Sequence, residues 1–241
     1  MNMTRGAPFL LALGDSPPGS RPPVRLGPEP HLTPRAALTT PDPAAAAKRL
    51  LRSEAKAVRA DAFARHGRDV PSEKIAAAGI GFAGRRPPAV VSGFLPIGEE
   101  IDPAPLMRRL LNEGYSLALP VMEAKGKPLL FRAWTPGDPL GEVAWGIREP
   151  LASSPVVEPD IILGPLLAFD REGYRLGYGG GFYDRTLARL RAMKPVVSIG
   201  LAYDEQRVDA VPHSGYDQRL DWVLTPSGPL KCQVPSPHHE G

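Results

Sequence analysis

The run Asp160-Ile161-Ile162-Leu163-Gly164-Pro165-Leu166-Leu167 is apolar at nearly every position. A strand of that kind has no side to give to water, so it belongs inside a parallel sheet covered on both faces. Comparable short apolar runs occupy residues 89–95, 116–120, 195–202 and 220–224, and another at 128–134 reads as an edge or hairpin arm. Between them stand segments with helical spacing at residues 43–59, 72–78 and 103–111, and a helix that carries Tyr183, Leu187 and Leu190. Strands alternating with helices predict a single three-layer α/β/α sandwich around a mostly parallel sheet. A chain of 241 residues has room for one such domain with a full core, expected over residues 44–225. Residues 1–43 hold ten of the thirty prolines and show no sustained period, which predicts a disordered arm. Residues 226–241 are expected to be a flexible tail.

The apolar run leads into Phe169-Asp170-Arg171-Glu172-Gly173-Tyr174-Arg175-Leu176-Gly177-Tyr178-Gly179-Gly180-Gly181-Phe182-Tyr183-Asp184-Arg185. Glycines without a Cβ let another molecule's oxygens approach the backbone N–H groups, which is what a phosphate cradle needs. A helix opens directly afterwards, and its free N–H groups and dipole favour an anion. Asp184 stands where a carboxylate can hold a cation that bridges phosphates. Glycine-rich turns between strand and helix also occur without a ligand, so the flanking strand matters: in open parallel sheets ligands bind beyond the carboxyl ends of the strands. The loop is not a Walker pattern, because Phe182 and Tyr183 follow the last glycine where Lys and Ser or Thr are needed. Nor is it a dinucleotide fingerprint, so the expected fold is Rossmann-like without that motif. Gly79-Ile80-Gly81-Phe82-Ala83-Gly84 does match the fingerprint letter for letter. It follows a helix and runs into Arg85-Arg86-Pro87-Pro88, which predicts a helix C-cap and turn instead.

Lys48 and Arg52 are four apart and share a helix face, where they can pinch one anion or simply face solvent. The expected apolar stripe of that helix is Leu50, Leu51, Ala55 and Val58, with Asp42 as N-cap. Glu99, Glu100 and Asp102 follow the strand at 89–95, and carboxylates there can accept hydrogen bonds from a ligand's amine or ring N–H groups. Asp102 is equally placed to cap the next helix. Trp145 lies in a loop and can cover a flat ligand or serve the core. Asp217 and Asp221 flank the start of the last strand, and either can join Asp184 at a cation. With 42% hydrophobic and 23% charged residues, no apolar run of membrane length, and a formal charge of +3 without a dense basic stripe, neither a membrane nor nucleic acid is an expected partner. The single cysteine, Cys232, cannot form an internal disulfide and sits in a polar Pro-rich stretch, which favours a cytoplasmic location. The apolar run at residues 8–13 is too short for a signal peptide. No Ser/His/Asp or Cys/His set falls on well-placed elements, and His238 and His239 are too few to argue a metal site.

Taken in order, these segments resemble the 5-formyltetrahydrofolate cyclo-ligase family, also called methenyltetrahydrofolate synthetases. The resemblance runs from Lys48 to about Thr225. It is most specific at Phe169-Asp170, Gly173 and the unbroken 175–184 stretch, and it is supported by the basic N-terminal helix, Phe94-Leu95 with Glu100, residues 145–150, Asp217 and Leu220-Asp221. It implies a monomeric α/β enzyme that uses ATP and Mg²⁺ to convert 5-formyltetrahydrofolate, a reduced folate, into 5,10-methenyltetrahydrofolate. Lys48 and Arg52 would then hold ATP phosphates, together with Arg175, Leu176, Gly177, Tyr178, Gly179, Gly180, Gly181, Phe182 and Tyr183. Leu95, Glu100 and the same loop from Tyr178 to Phe182 would contact the folate, while Asp184 and Asp221 would bind Mg²⁺. The sequence departs from the family's usual pattern at Gly164-Pro165-Leu166, where Val-Pro-Gly is usual, and at Tyr216, where His often stands. Two other readings share this site: a paralogue acting on a different formamide or carboxylate, and a non-catalytic folate- or nucleotide-binding protein. Leu95 and Glu100 argue against the first, and Asp184 and Asp221 against the second.

Overall fold

The computed structural model describes residues 43–142 and 148–233. The expected arm with its Asp42 cap, the Trp145 indole and the His238-His239 pair lie outside the described residues. In chain order the elements are α1 (Pro43–His66), α2 (Asp69–Ala78), β1 (Val90–Ser92), α3 (Ala104–Asn112), β2 (Ser116–Val121), β3 (Leu130–Ala133), β4 (Leu140–Glu142) and β5 (Arg148–Pro150). They continue with β6 (Ile161–Pro165), β7 (Ala168–Phe169), β8 (Arg175–Leu176), α4 (Phe182–Met193), β9 (Val197–Leu201), β10 (Trp222–Thr225) and β11 (Gly228–Lys231).

The apolar run at 160–167 forms β6, the middle of a seven-stranded sheet ordered β11-β10-β9-β6-β1-β2-β3. The five inner strands are parallel, and β3 and β11 close the two edges antiparallel. Alternate side chains of β6 serve opposite layers. Ile161 and Leu163 pack with Ala62 of α1, Ile75 of α2 and Leu106 of α3, whereas Ile162 packs with Leu187 and Leu190 of α4. Each such side chain, fully withdrawn from water, contributes about 2 kcal/mol, and this two-sided burial is why the strand is apolar at consecutive positions. The architecture is the expected three-layer α/β sandwich. The 79–84 string is a helix end and turn as expected: Gly79 takes φ +64° and donates to the Ile75 and Ala76 carbonyls, and Gly81–Ala83 is a single 3-10 turn. Asp102 does serve the next helix, accepting a hydrogen bond from Ala104 N at 2.8 Å.

Several local expectations are corrected. α1 continues to His66, and half of the expected stripe faces inward: Leu51 and Ala55 pack against the fold, whereas Leu50 is 74% and Val58 40% exposed, and Arg59 and Ala62 are buried in addition. The reason is that α1 packs on the segment following β6, with Leu51 and Ala55 against Leu167, Ala168 and Leu176, and small side chains suit that approach. The expected tail does not begin at residue 226. Gly228, at φ +120°, turns the chain, and β11 adds an edge strand on β10, where Pro229 is tolerated because an edge needs fewer N–H donors. Cys232 consequently packs beside Leu166, Phe169 and Leu220 rather than in a polar tail, and burial pushes its thiol up to about 12. The hairpins β4–β5 and β7–β8 went unanticipated, being two or three residues per strand and too short to show a period.

The β7–β8 hairpin is held by one carboxylate. Asp170, 4% exposed, accepts hydrogen bonds from Glu172 N and Tyr174 N at 3.0 Å each and from Val211 N at 2.9 Å. Asp170→Ala would leave three backbone donors without an acceptor and should destabilise the protein by about 3 kcal/mol or more in urea unfolding. Asp170→Asn, which keeps one acceptor oxygen, should fall between it and the parent. Equal stability of Ala variant and parent would remove Asp170 from this role.

Candidate active site

From β1 the chain moves outward to β2 and β3, then returns to build β6, β9 and β10 on the other side of β1. Connections therefore diverge above the carboxyl ends of β1 and β6, and a crevice is left where the direction reverses. A cavity of about 470 Å³ opens at that point. Phe94 and Leu95 reach it from the end of β1, Pro120 and Met122 from the end of β2, and Pro165 from the end of β6. The glycine loop and the basic face of α1 complete its walls.

One end of the cavity is cationic. Gly179 at φ +99° and Gly181 at φ +65° occupy left-handed backbone that residues with a Cβ rarely adopt, and Gly181 immediately precedes the first turn of α4. Arg52 Nε donates to the Gly177 carbonyl at 2.9 Å, and its guanidinium lies only 3.3 Å from where a Cβ on Gly179 would stand. Lys48 Nζ is held by the Asp217 carboxylate at 2.5 Å, and Ser214 donates to the same carboxylate through its N–H and hydroxyl. Burial opposes ionisation of Asp217, but the Lys48 and Ser214 hydrogen bonds outweigh it and hold the group below the usual carboxylate range. Arg175 pairs with Asp184 Oδ1 at 2.8 Å and donates to the Gln218 carbonyl, while Gln218 N donates back to Asp184 Oδ1 at 3.0 Å. These contacts orient the cations before any anion arrives.

The cavity wall also carries a buried acid. Glu100 is 3% exposed; Ile97 N donates to its Oε2 at 2.9 Å and the Tyr178 hydroxyl to its Oε1 at 3.0 Å. Arg59 Nη1 in turn donates to the Tyr178 oxygen at 2.7 Å and stands 3.6 Å from Glu100. Burial raises the Glu100 pKa, against the pull of the Ile97 and Tyr178 hydrogen bonds and of Arg59. Tyr183 is also pushed up, by burial and then by Glu100. Its ring lies over Gly164, where a Cβ would come within 3.2 Å of the ring, so the small residue at that departure makes room for the tyrosine. Leu166, the second departure, turns into the core with Phe169, Ala202 and Val223, and Tyr216 is 89% exposed.

Lys48, Arg52, Leu95, Glu100 and the loop from Arg175 to Tyr183, expected at phosphate or folate, all line this one cavity, whereas Glu99 does not and instead pairs with Arg59 Nη2 at 3.2 Å. Of the carboxylates singled out for a cation, Asp184 and Asp217 line the cavity and Asp221 does not. Asp221 Oδ2 accepts from Ser198 N, Ser198 Oγ and Arg191, and Arg191 also reaches the Gln218 side chain, so Asp221 stands one hydrogen-bonded link behind the wall. Asp184 Oδ2 and Asp221 Oδ1 take part in no hydrogen bond with the described residues. Among those residues no three His, Cys, Asp or Glu side chains gather at one point. That donor set fits a cation completed by phosphate oxygens and water, as Mg²⁺ commonly is, and not one caged by protein alone. Sequence reasoning passed over Arg59 and Glu149, both of which the structure brings to this region. Arg59 was accessible, since it lies eleven residues after Lys48 and seven after Arg52, which puts all three on one helical face. No helix among the described residues is long and apolar enough to cross a membrane.

Residues 44–226 match the model of the 5-formyltetrahydrofolate cyclo-ligase family. The 5-formyltetrahydrofolate cyclo-ligase of Mycolicibacterium smegmatis is 36% identical over 156 residues, 61% of this chain and 77% of that protein. The 5-formyltetrahydrofolate cyclo-ligase of Escherichia coli is 38% identical over 150 residues, 58% of this chain and 82% of that protein. The solved 5,10-methenyltetrahydrofolate synthetase of Aquifex aeolicus superposes with a TM-score of 0.59 at 29% identity, covering 79% of this chain and 98% of that one.

Arg59→Met keeps the aliphatic bulk and removes the charge, leaving Glu100 buried without its cation. At neutral pH the loss in urea unfolding should be about 3–5 kcal/mol. Without Arg59 the already raised Glu100 pKa rises further, and a protonated Glu100 needs no cation. The deficit should therefore shrink as pH falls through that raised pKa and be largest above it. A deficit that is pH-independent would contradict the Arg59–Glu100 coupling.

Proposed function

The chain belongs to the 5-formyltetrahydrofolate cyclo-ligase family and is an enzyme of it, and from that premise we propose that the cavity holds 5-formyltetrahydrofolate against the γ-phosphate of ATP. The observation that carries the reading is that the cationic, glycine-lined end and the buried Glu100 edge are walls of one cavity, joined by Tyr178. Phosphates suit the first wall. Lys48, Arg52 and Arg175 supply charge, and backbone N–H groups of the loop and of the first turn of α4 supply directional donors. A ring edge bearing N–H groups suits the second, where Glu100 offers acceptors and Phe94 and Leu95 offer apolar contact.

The chemistry explains why both walls must meet. A formamide oxygen is a poor leaving group, so closure by the neighbouring N10 stalls until that oxygen is activated. The formyl oxygen attacks the γ-phosphorus, the bond to the β-phosphate oxygen breaks, and ADP leaves. N10 then attacks the formyl carbon of the iminium phosphate, the carbon–oxygen bond breaks, and inorganic phosphate and the N10 proton depart to leave 5,10-methenyltetrahydrofolate. The protein's part is to align the reacting oxygen with the phosphorus and to meet the charge that develops with fixed donors. Asp184, the carboxylate of the pair that lines the cavity, would hold Mg²⁺ with phosphate oxygens and water, and Asp221 would act on it from behind the wall; the ion would offset phosphate charge.

The purified chain, given 5-formyltetrahydrofolate, ATP and Mg²⁺, should generate the near-ultraviolet absorbance of methenyltetrahydrofolate, and omission of any one component should abolish it. Asp184→Asn, which keeps an acceptor oxygen for Arg175 and Gln218 N but removes the carboxylate charge, should lose turnover while retaining the parent's unfolding midpoint to within a small shift. ATP binding without product would send the search to a different formamide or carboxylate. Near-parental turnover of the variant would take Asp184 out of the mechanism.

A further inference from the structure

Three carboxylates are buried among the described residues: Glu100, Glu149 and Asp170. Asp170 is fully engaged by three backbone donors, and Glu100 has a donor on each oxygen with Arg59 beside it. Glu149 differs. It sits in β5 at 6% exposure, its Oε1 accepts one hydrogen bond from Met122 N at 2.9 Å, and among the described residues no cation pairs with it and no donor reaches Oε2. It also lines the cavity, beyond the carboxyl end of β2. A buried carboxylate with one oxygen satisfied is a poor structural choice, since an apolar side chain or an amide would hold the same place with less desolvation. It is a good choice where an N–H donor is to arrive.

We infer that Glu149 is a second recognition residue for the reduced folate, with Oε2 accepting a hydrogen bond from a donor edge of the pteridine ring. This rests on the reading of the cavity given above. Of the two reactants, the nucleotide is the weaker fit. Its phosphates are repelled by a carboxylate, and its adenine amino group is flanked by ring nitrogens whose lone pairs face the same side. The reduced pteridine instead presents N3–H beside its 2-amino group, so that a carboxylate meets donors alone. Glu100 and Glu149 then read the ring from two places in the wall, and a ligand that lacks ring donors leaves Glu149 Oε2 without a partner. That is how a site of this kind rejects an analogue.

Glu149→Gln tests the inference without emptying the space. The amide oxygen can keep the Met122 bond, but the other position becomes an N–H₂ group that faces the ring's own donors. The Km for 5-formyltetrahydrofolate should rise by about tenfold or more, that for ATP should stay within about twofold, and the unfolding midpoint should match the parent. Glu149→Ala should show the same Km effect together with a lower midpoint, because Met122 N loses its acceptor. A purely structural Glu149 predicts a Gln variant with both Km values unchanged, and that result overturns the inference; so does a rise confined to the Km for ATP. If the parent neither binds nor converts 5-formyltetrahydrofolate, the reading of the cavity falls and the inference with it, an outcome visible before any variant is made.

Discussion

The buried Arg59 guanidinium ties the first helix of the fold to the loop on which the site depends. It reaches Tyr178 and Glu100 together and is itself 4% exposed. Leaving any one of the three unpaired would strand a charge or hydroxyl in a low dielectric. Two turns earlier on the same face Arg52 holds the Gly177 carbonyl, and one turn before that Lys48 holds Asp217. Three basic side chains of α1 thus grip a loop and a strand approach that lie more than a hundred residues further along the chain. The glycine loop has little apolar surface of its own to fix it. Its conformation, including the left-handed Gly179 and Gly181, is held by these polar contacts and by the start of α4.

The parallel sheet supplies the rest of the constraint. Because the chain reverses direction between β1 and β6, the segments leaving those strands separate, and the gap becomes the cavity. Charge is distributed unevenly across its wall. Lys48, Arg52 and Arg175 stand with the glycines, and Glu100 and Glu149 stand with the apolar ends of β1 and β2. On the proposed reading, anions and N–H donors have different places in one volume, and the reaction falls where the two meet.

Much of this was legible in the chain itself. β6 could be read because a strand buried on both faces is apolar at every step, and α4 because Leu187 and Leu190 keep helical spacing after the glycines. Lys48 and Arg52 could be placed together by spacing, though not whether their face met solvent or a loop; that depends on a contact 125 residues away. β11 was hidden because an edge strand containing Pro229 has little intrinsic preference and gains its order from β10. Asp221 looks like a cavity residue from its place beside Asp217, but Ser198 and Arg191 hold it behind the wall. Glu149 carries no local signal at all. Only the packing of β5 against the end of β2 turns it into a buried acid in the cavity.

In the proposed reaction one cavity passes a phosphoryl group directly from ATP to the formyl oxygen of the folate. Supplying 5-formyltetrahydrofolate labelled with oxygen-18 in the formyl group, and weighing the inorganic phosphate released in a single turnover, tests it without a variant. Transfer as described puts the label in the phosphate, one atom for each molecule of product. Unlabelled phosphate with the label in water would mean that the oxygen leaves by hydration instead, and that the two walls of the cavity do not bring these reactants into contact.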